Sequence, residues 1–510
     1  MAKQHPRATA ITDLGGSMSR IKLAAAALVL RDILALPADE QHVGVLLPPG
    51  RGGTLVNLAL ALDGRTAVNL NHTVGNAGMV TMAEMAGLRT LITASKYTDR
   101  IGLPELPGVT MLTAEDLLPK LGKLRVLRAM AAIMLRAPAS LCRAKPDQVA
   151  TVIFSSGSTG TPKGVQLTHR QLLANFSAIL PHLGLEQERD ILLSPLPLFH
   201  SFGYAVGTFF PLCTGLGIAA HPDPTDALAI GKLAAMTKAS FLVSTATFVR
   251  GYLRRISPEQ FASLRFAVVG AEKCPQDLRE RFRDRYQAEL YEGYGATELA
   301  PVVSVNHAHH VRDGVHEQGC KEGSVGRPMP GIDVVTMDPD TRELLPPGHE
   351  GLLVVRSPAR MLGYLNQPER TDDAFVHDGY DTGDMGYVDD DGFVHITGRL
   401  ARFAKIGGEM VPLEQVQEHL AEACRQRIGE SNEHVLAVSS APDPSRGERV
   451  VVLHDGLPLS AEEIAALGAD LPPLFRPRSR DVHQVDAIPM LGTGKLDLRG
   501  LKDLAEQAGA

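Results

Sequence analysis

Cysteine is scarce in this chain. Five thiols, Cys142, Cys213, Cys274, Cys320 and Cys424, are scattered over 510 residues, none within forty positions of the next and none in a C-x-x-C pair. That spacing excludes a disulfide scaffold and a zinc knuckle and fits a reducing cytosol. A basic surplus is also missing. Lys and Arg number 51 against 58 Asp and Glu, for a net charge of −7, so no nucleic-acid partner is expected. There is no long apolar run. The best attempt, Ile21 to Leu36, is broken by Lys22, Arg31 and Asp32, too short and too charged to span a bilayer. The opening MAKQHPRATAITDLGG lacks the apolar stretch of a secretory signal, so a cytoplasmic location is expected. The 49 Gly and 34 Pro follow no period, which excludes a collagen-like chain.

What remains is ordinary globular composition, 44% hydrophobic and 21% charged. The length suggests about three domains, or one large domain with a smaller one. From Ile11 to about Thr110, helix-like stretches (20–36, 52–62, 77–86) alternate with β-branched runs (43–47, 66–70, 90–93). The rhythm returns after residue 150, starting with a strand at 151–154. Such alternation predicts parallel sheets covered by helices, here as two α/β halves. From about Pro346 the texture changes to short strands with Gly and Asp turns, and a compact α+β unit follows Leu400. The expected fold is therefore α/β: a large N-terminal domain (1–398) of two α/β subdomains plus a small β-barrel-like subdomain, and a small mobile α+β domain (399–510).

One segment stands apart. Residues 117–146 carry seven basic side chains (Lys120, Lys123, Arg125, Arg128, Arg136, Arg143 and Lys145) and no acidic one. On a helical wheel Arg125, Arg128 and Arg136 share one arc, and Leu124, Leu127, Ala131, Met134 and Leu135 share another. A basic amphipathic helix rests on anionic lipid or meets an acidic protein. The plainer alternative is a surface helix packing its Leu/Met side on the core.

The densest local signal is SSGSTGTPKG, Ser155 to Gly164, placed directly after a predicted strand. Glycines Gly157, Gly160 and Gly164 let backbone amides approach an anion. The hydroxyls of Ser155, Ser156, Ser158 and Thr159 add donors, and Lys163 adds charge. The pattern reads as a phosphate-holding loop. It is not a Walker A motif, because Lys163 is followed by Gly164 rather than Ser or Thr.

With YGATE (Tyr294–Glu298), YDTGD (Tyr380–Asp384), GR (Gly398–Arg399) and PMLGTGK ending in Lys495, the chain resembles the adenylate-forming superfamily of acyl-CoA synthetases, adenylation domains and luciferases. The resemblance runs from about Ile11 to Leu501. It implies ATP and magnesium as cofactors, with Ser155–Gly160 and Lys163 on the phosphates and Glu298 on the metal. Oxygen donors of this kind suit a hard cation. Thr297 would lie near the phosphates. Gly270, Ala271, Glu272, Tyr294 and Gly295 would line the adenine pocket, although Tyr294 alone could equally be core. Asp384 would grip the ribose hydroxyls, and Arg399 would reach the same ribose or the phosphates. Lys495 would contact the attacking carboxylate and the α-phosphate, offsetting repulsion between two anions. The stretch holding Lys405, Gly407 and Gly408 would flank the pantetheine arm of the thiol co-substrate. Ala401 stands where the family's pivot is usually Asp or Lys, which leaves the hinge position open.

His200, in LPLFHSFG (Leu196–Gly203), would stack near the acyl carbonyl; the alternative is a buried histidine bonded to backbone. The apolar stretches Tyr204–Leu216, Ser244–Tyr252 and Pro301–Val305 offer walls for a fatty acid. VGAEKCP (Val269–Pro275), EGYGATELAPVVSVN (Glu292–Asn306) and RFAKIGGEMVPLE (Arg402–Glu414) are most similar to the acyl-ACP synthetase half of bacterial 2-acylglycerophosphoethanolamine acyltransferase/acyl-ACP synthetase. The resemblance implies fatty acid activation to an acyl-adenylate and transfer to the phosphopantetheine of acyl carrier protein. An acidic carrier protein would dock on 117–146 or on the Arg476–Arg480 cluster. His221 and Asp226 share the spacing of an acyltransferase motif by chance, so a stand-alone synthetase is expected. A medium- or long-chain acyl-CoA ligase shares every motif, as does an adenylating enzyme that loads a carrier domain. A non-catalytic acyl-nucleotide binding protein is the reading from another class. Residues 117–146 also leave peripheral contact with the inner face of a membrane open.

Overall fold

The computed structural model describes residues 1–155, 162–312, 315–429, 435–490 and 496–508. Two large sheets lie at its centre. One has seven strands in the order Gly363–Tyr364, Lys163–Thr168, Val149–Ser155, Thr66–Asn69, His42–Leu46, Thr90–Thr93 and Thr110–Thr113. The other has nine, running from Arg327–Pro328 through Val302–Val305, Glu289–Gly295, Phe266–Val269, Phe241–Ser244, Ile191–Ser194 and Gly217–Ala220 to Thr9–Asp13 and Gly16–Ser19. Their central strands are parallel and buried on both faces, as sheets sandwiched between helices require.

The chain does not fill the two sheets in sequence order, and this corrects the division expected at residue 150. Val149–Ser155 belongs to the first sheet, beside Thr66–Asn69, and Thr9–Asp13 crosses to the second, beside Gly217–Ala220. Between Phe241–Ser244 and Phe266–Val269 the chain adds a single 3₁₀ turn, Pro258–Phe261, after the helix Ala246–Arg255. Local signals elsewhere hold: Thr168 and Gln171 form a capping box on the helix His169–His182, and Asp226 caps Ala227–Thr237. Asp226 Oδ2 also lies 3.6 Å from Nε2 of His221, five residues earlier in the chain.

A third, antiparallel sheet contains Asp333–Met337, Gly351–Arg356, Gly379–Val388 and Phe375–Val376, with Val394–Arg399 paired to Gly379–Val388. Beyond it, Glu409–Pro412, Phe403–Ile406, Gly447–His454, Leu436–Asp443 and Val482–Gln484 form the sheet of a smaller α+β unit. Its cores draw on residues from Ala404 onward, including Val411, Leu420, Val438, Val452 and Leu501. Leu400 and Phe403 instead pack toward Met337 and Leu352 of the larger part.

The segment at 117–146 differs from its plainer reading. The helix Lys123–Leu135 faces the core with Val126, Ala129, Met130 and Ile133, whereas Leu124, Leu127 and Leu135 are exposed. The chain has two apolar arcs here, and the one holding Val126, Ala129, Met130 and Ile133 packs on Ile21, Ala25 and Leu28 of the helix Arg20–Leu34.

Candidate active site

Three chain segments meet around Glu298. The carboxylate sits in the turn Thr297–Leu299 and is buried. Burying a charge requires partners, and Glu298 Oε1 accepts a 2.9 Å hydrogen bond from the Tyr364 hydroxyl. Tyr364 lies on a two-residue strand that pairs with Lys163–Thr168, so the strand leaving the phosphate-loop motif is tied directly to Glu298. Lys163 Nζ lies 4.9 Å from the Tyr364 ring centroid, within cation–π range. The Tyr380 hydroxyl lies 3.4 Å from that of Tyr364. Burial, and then the Glu298 charge, push both phenols well above the ordinary tyrosine range, so both remain protonated donors at neutral pH. Burial lowers the Lys163 ammonium, Glu298 pulls it back up, and Arg370 and Arg399 add to the depression. These cations leave the niche receptive to an anion.

A second cluster adjoins the first. Asp384, buried in the strand Gly379–Val388, accepts a 2.6 Å hydrogen bond from the Tyr294 hydroxyl on Oδ2 and pairs with Arg399 Nε at 2.8 Å on Oδ1. Burial raises the carboxyl pKa, and the Arg399 guanidinium opposes that rise. Burial and then the Asp384 charge hold the Tyr294 phenol well above its usual range. Both carboxylate oxygens of Asp384 are thus engaged within the protein.

Thr297 Oγ1 and Ser201 Oγ are 3.0 Å apart, which links YGATE to the segment carrying His200. His200 is exposed, with its ring 4.7 Å from that of Phe199; the buried alternative therefore does not apply. From Phe202 to Phe209 the chain forms a π-helix, a rare form that concentrates at functional sites. Gly203 is its second residue, and a Cβ there would lie 2.8 Å from the Leu196 carbonyl oxygen. Gly270 faces the Phe202 ring, which a Cβ would approach to 3.5 Å. Ala271 holds φ +67°, uncommon for a residue with a side chain. Glu272 is exposed and clamps Thr247 through its amide and hydroxyl, each at 2.8 Å.

The expected acyl walls divide. Tyr204, Phe209 and Phe210 join the main core. Val249 and Tyr252 turn the other way, into the cluster with Ile230, Phe261 and Phe282, and the Tyr252 hydroxyl donates to the Pro224 carbonyl. They line no shared wall with Phe209. Lys405 lies on a hairpin whose turn is Gly407–Gly408, both with positive φ, and Lys405 Nζ pairs with Asp340 at 2.8 Å. Ser156, Gly157, Ser158, Thr159, Gly160 and Lys495 lie outside the described residues. Tyr364 and Thr247 lie in no motif, and Ser201 lies in LPLFHSFG beside His200 without a chemical signal of its own. The only sequence cue was chemical: a buried tyrosine needs a partner for its hydroxyl.

The residues from the phosphate-loop motif to Tyr364 fall within the match of this chain to the profile for AMP-binding enzymes, which spans residues 1–365. The chain belongs to the AMP-binding enzyme family. Among curated relatives, it is 30% identical over 363 residues to a long-chain-fatty-acid–CoA ligase of Bacillus subtilis, a match covering 69% of this chain and 61% of the relative. The match thus spans less than two thirds of that relative's length. It is 32% identical over 356 residues to a feruloyl-CoA synthase of an Amycolatopsis species, covering 69% and 68% of the two chains. Among solved structures, o-succinylbenzoate coenzyme A synthetase of Bacillus subtilis, in complex with ATP and magnesium ion, superposes with a TM-score of 0.77 at 22% identity. That alignment covers 98% of each chain.

Proposed function

We propose that this protein activates a fatty acid with ATP to an acyl-adenylate, releasing pyrophosphate, and then passes the acyl group to a phosphopantetheine thiol. The observation that carries the reading is the junction of Glu298, Tyr364 and Lys163 beside the Asp384–Arg399 pair. It joins a buried hard-oxygen donor to cations suited to phosphates, in a chain of the AMP-binding family.

Magnesium suits the donor set. Among the described residues no three His, Cys, Asp or Glu side chains gather as a resident metal site. A single buried carboxylate is what a magnesium ion carried mainly by substrate phosphates and water requires. Glu298 would hold it, Tyr364 would orient the carboxylate, and the ion would neutralise phosphate charge. Ser155–Gly160 and Lys163 are assigned to the phosphates, with Thr297 beside them. Gly270, Ala271, Glu272 and Gly295 are assigned to the base. For Glu272 the contribution is backbone, since its carboxylate serves Thr247. Asp384 and Arg399 are assigned to the ribose, which would replace one of the contacts that Asp384 now makes. Lys495 is assigned to the attacking carboxylate and α-phosphate, where a positive charge is worth most as negative charge accumulates. His200, exposed next to the Ser201–Thr297 contact, is assigned to the acyl carbonyl.

We assign residues 399–510 to a mobile unit. Its cores are built from its own residues. Ala401 is exposed in a 3₁₀ turn while Arg402 is anchored to Val438 and Gln417, which leaves Ala401 and its neighbours to absorb dihedral change. Rotation would bring Lys405, Gly407 and Gly408 to the thiol. Arg476, Arg478 and Arg480 are exposed on this unit and favour an acidic carrier protein as acceptor, the acyl-ACP synthetase reading. The names of the two curated relatives favour CoA.

Mass spectrometry separates these readings. With ATP, magnesium and dodecanoate, thioester on holo-acyl carrier protein alone supports the carrier reading, and thioester on CoA alone supports the acyl-CoA ligase. Absence of pyrophosphate release with dodecanoate refutes fatty acid activation, and release with ferulate instead moves the substrate to aryl acids.

A further inference from the structure

The helix Lys123–Leu135 carries an apolar stripe that the fold leaves uncovered. Val126, Ala129, Met130 and Ile133 recur at i, i+3, i+4 and i+7 and bury the inner face. On the outer face Leu124 is 62% exposed, Leu127 59%, Met134 42% and Leu135 83%. Four large aliphatic side chains on one turn-to-turn line exceed the scatter of single exposed hydrophobics usual on a soluble surface. Basic residues border the stripe: Lys123 on one side, Arg128, Arg125 and Arg136 on the other, all exposed.

We propose that this face seats the protein on an anionic lipid surface, with the leucines at the acyl boundary and the cations among the headgroups. Two features favour lipid over an acidic protein. First, the line pointing furthest from the core is aliphatic and the charges flank it, the disposition of a helix lying in a bilayer interface. Second, the segment 117–146 holds seven cations and no acid. Arg143 is paired with Asp32 and Asp63, and the other six supply the attraction to anionic headgroups.

The proposal concerns location and stands apart from catalysis, because vesicle binding requires no turnover. The test is co-sedimentation of the full chain with vesicles of phosphatidylcholine alone or of phosphatidylcholine with 30% phosphatidylglycerol. The expected result is binding to the anionic vesicles, about tenfold weaker partitioning to the neutral ones, and loss at high salt. The triple variant Leu124→Ser, Leu127→Ser, Leu135→Ser alters exposed side chains only. It should keep its circular dichroism spectrum and its pyrophosphate release with a water-soluble short-chain acid, while partitioning falls at least tenfold. No sedimentation of the parent chain, or equal sedimentation of the triple variant, overturns the proposal. So does a triple reversal of Arg125, Arg128 and Arg136 to Glu that raises the KM for holo-acyl carrier protein and leaves vesicle binding unchanged, which would give the face to a protein.

Discussion

The Tyr364 hydroxyl donates a 2.9 Å hydrogen bond to Oε1 of Glu298, and Lys163 Nζ stands 4.9 Å from the ring of the same tyrosine. One side chain therefore sets the carboxylate assigned to magnesium and the cation assigned to phosphate. Tyr364→Phe keeps the ring and removes the donor. It should weaken apparent magnesium affinity about tenfold, as loss of a ligand-orienting partner typically does, and lower stability by about 1–3 kcal/mol. Magnesium titration of pyrophosphate release and thermal unfolding check both; an unchanged magnesium requirement would show that Tyr364 does not orient Glu298 for a metal.

Lys495→Ala separates the two half-reactions. If Lys495 acts on the attacking carboxylate and α-phosphate, adenylation should slow by about 10²–10³-fold, the scale of losing one preorganised transition-state contact. Thioester formation from synthetic dodecanoyl-adenylate should continue near its parent rate. Rapid-quench measurement of each step is the check, and equal loss in both would place the lysine elsewhere.

Gly203→Ala tests the π-helix. The added carbon would lie 2.8 Å from the Leu196 carbonyl oxygen, with fixed backbone as its neighbour. Destabilisation of about 1–3 kcal/mol is expected from overpacking, together with a rise in KM for dodecanoate larger than that for ATP. A KM shift confined to ATP would separate this segment from the acyl side.

Asp389 governs part of the acid limb of stability. Burial by itself would raise its pKa, but Lys321 and His395 and the Phe393 amide outweigh burial and hold it at about 2, below the ordinary 3.8. A folded-state pKa below the unfolded value means stability that is present above 3.8 and lost as the pH falls toward 2. With allowance for solvent screening, Asp389→Asn should cost about 1 kcal/mol at pH 7 and flatten the stability profile over that window. Urea unfolding at a series of pH values measures it; a parallel offset at every pH would exclude titration of Asp389 as the cause.

The sequence made Glu298, Asp384 and Arg399 legible because each sits in a short motif whose chemistry is local. Tyr364 was not legible. It lies on a two-residue strand positioned by pairing with Lys163–Thr168, nearly two hundred residues away, and no periodicity marks such a strand. The α/β class followed from strand–helix alternation, but the exchange of Thr9–Asp13 and Val149–Ser155 between sheets did not, since alternation says nothing about which neighbour a strand chooses. The helix Lys123–Leu135 presents two apolar arcs, and periodicity alone does not say which one meets the helix Arg20–Leu34, so that Ile133 lies inward and Leu135 outward was not legible.

Beside the apolar packing of Leu400 and Phe403 on Met337 and Leu352, the smaller unit meets the larger through Lys273 with Glu418 and Lys405 with Asp340, each at 2.8 Å, with 69% and 48% exposure in the first pair and 53% and 71% in the second. Ion pairs this wet contribute about 0–1 kcal/mol each. Water and dissolved salt compete for these pairs on nearly equal terms, whereas salt does not screen the packing of Leu400 and Phe403, so that apolar join persists where the ion pairs fade.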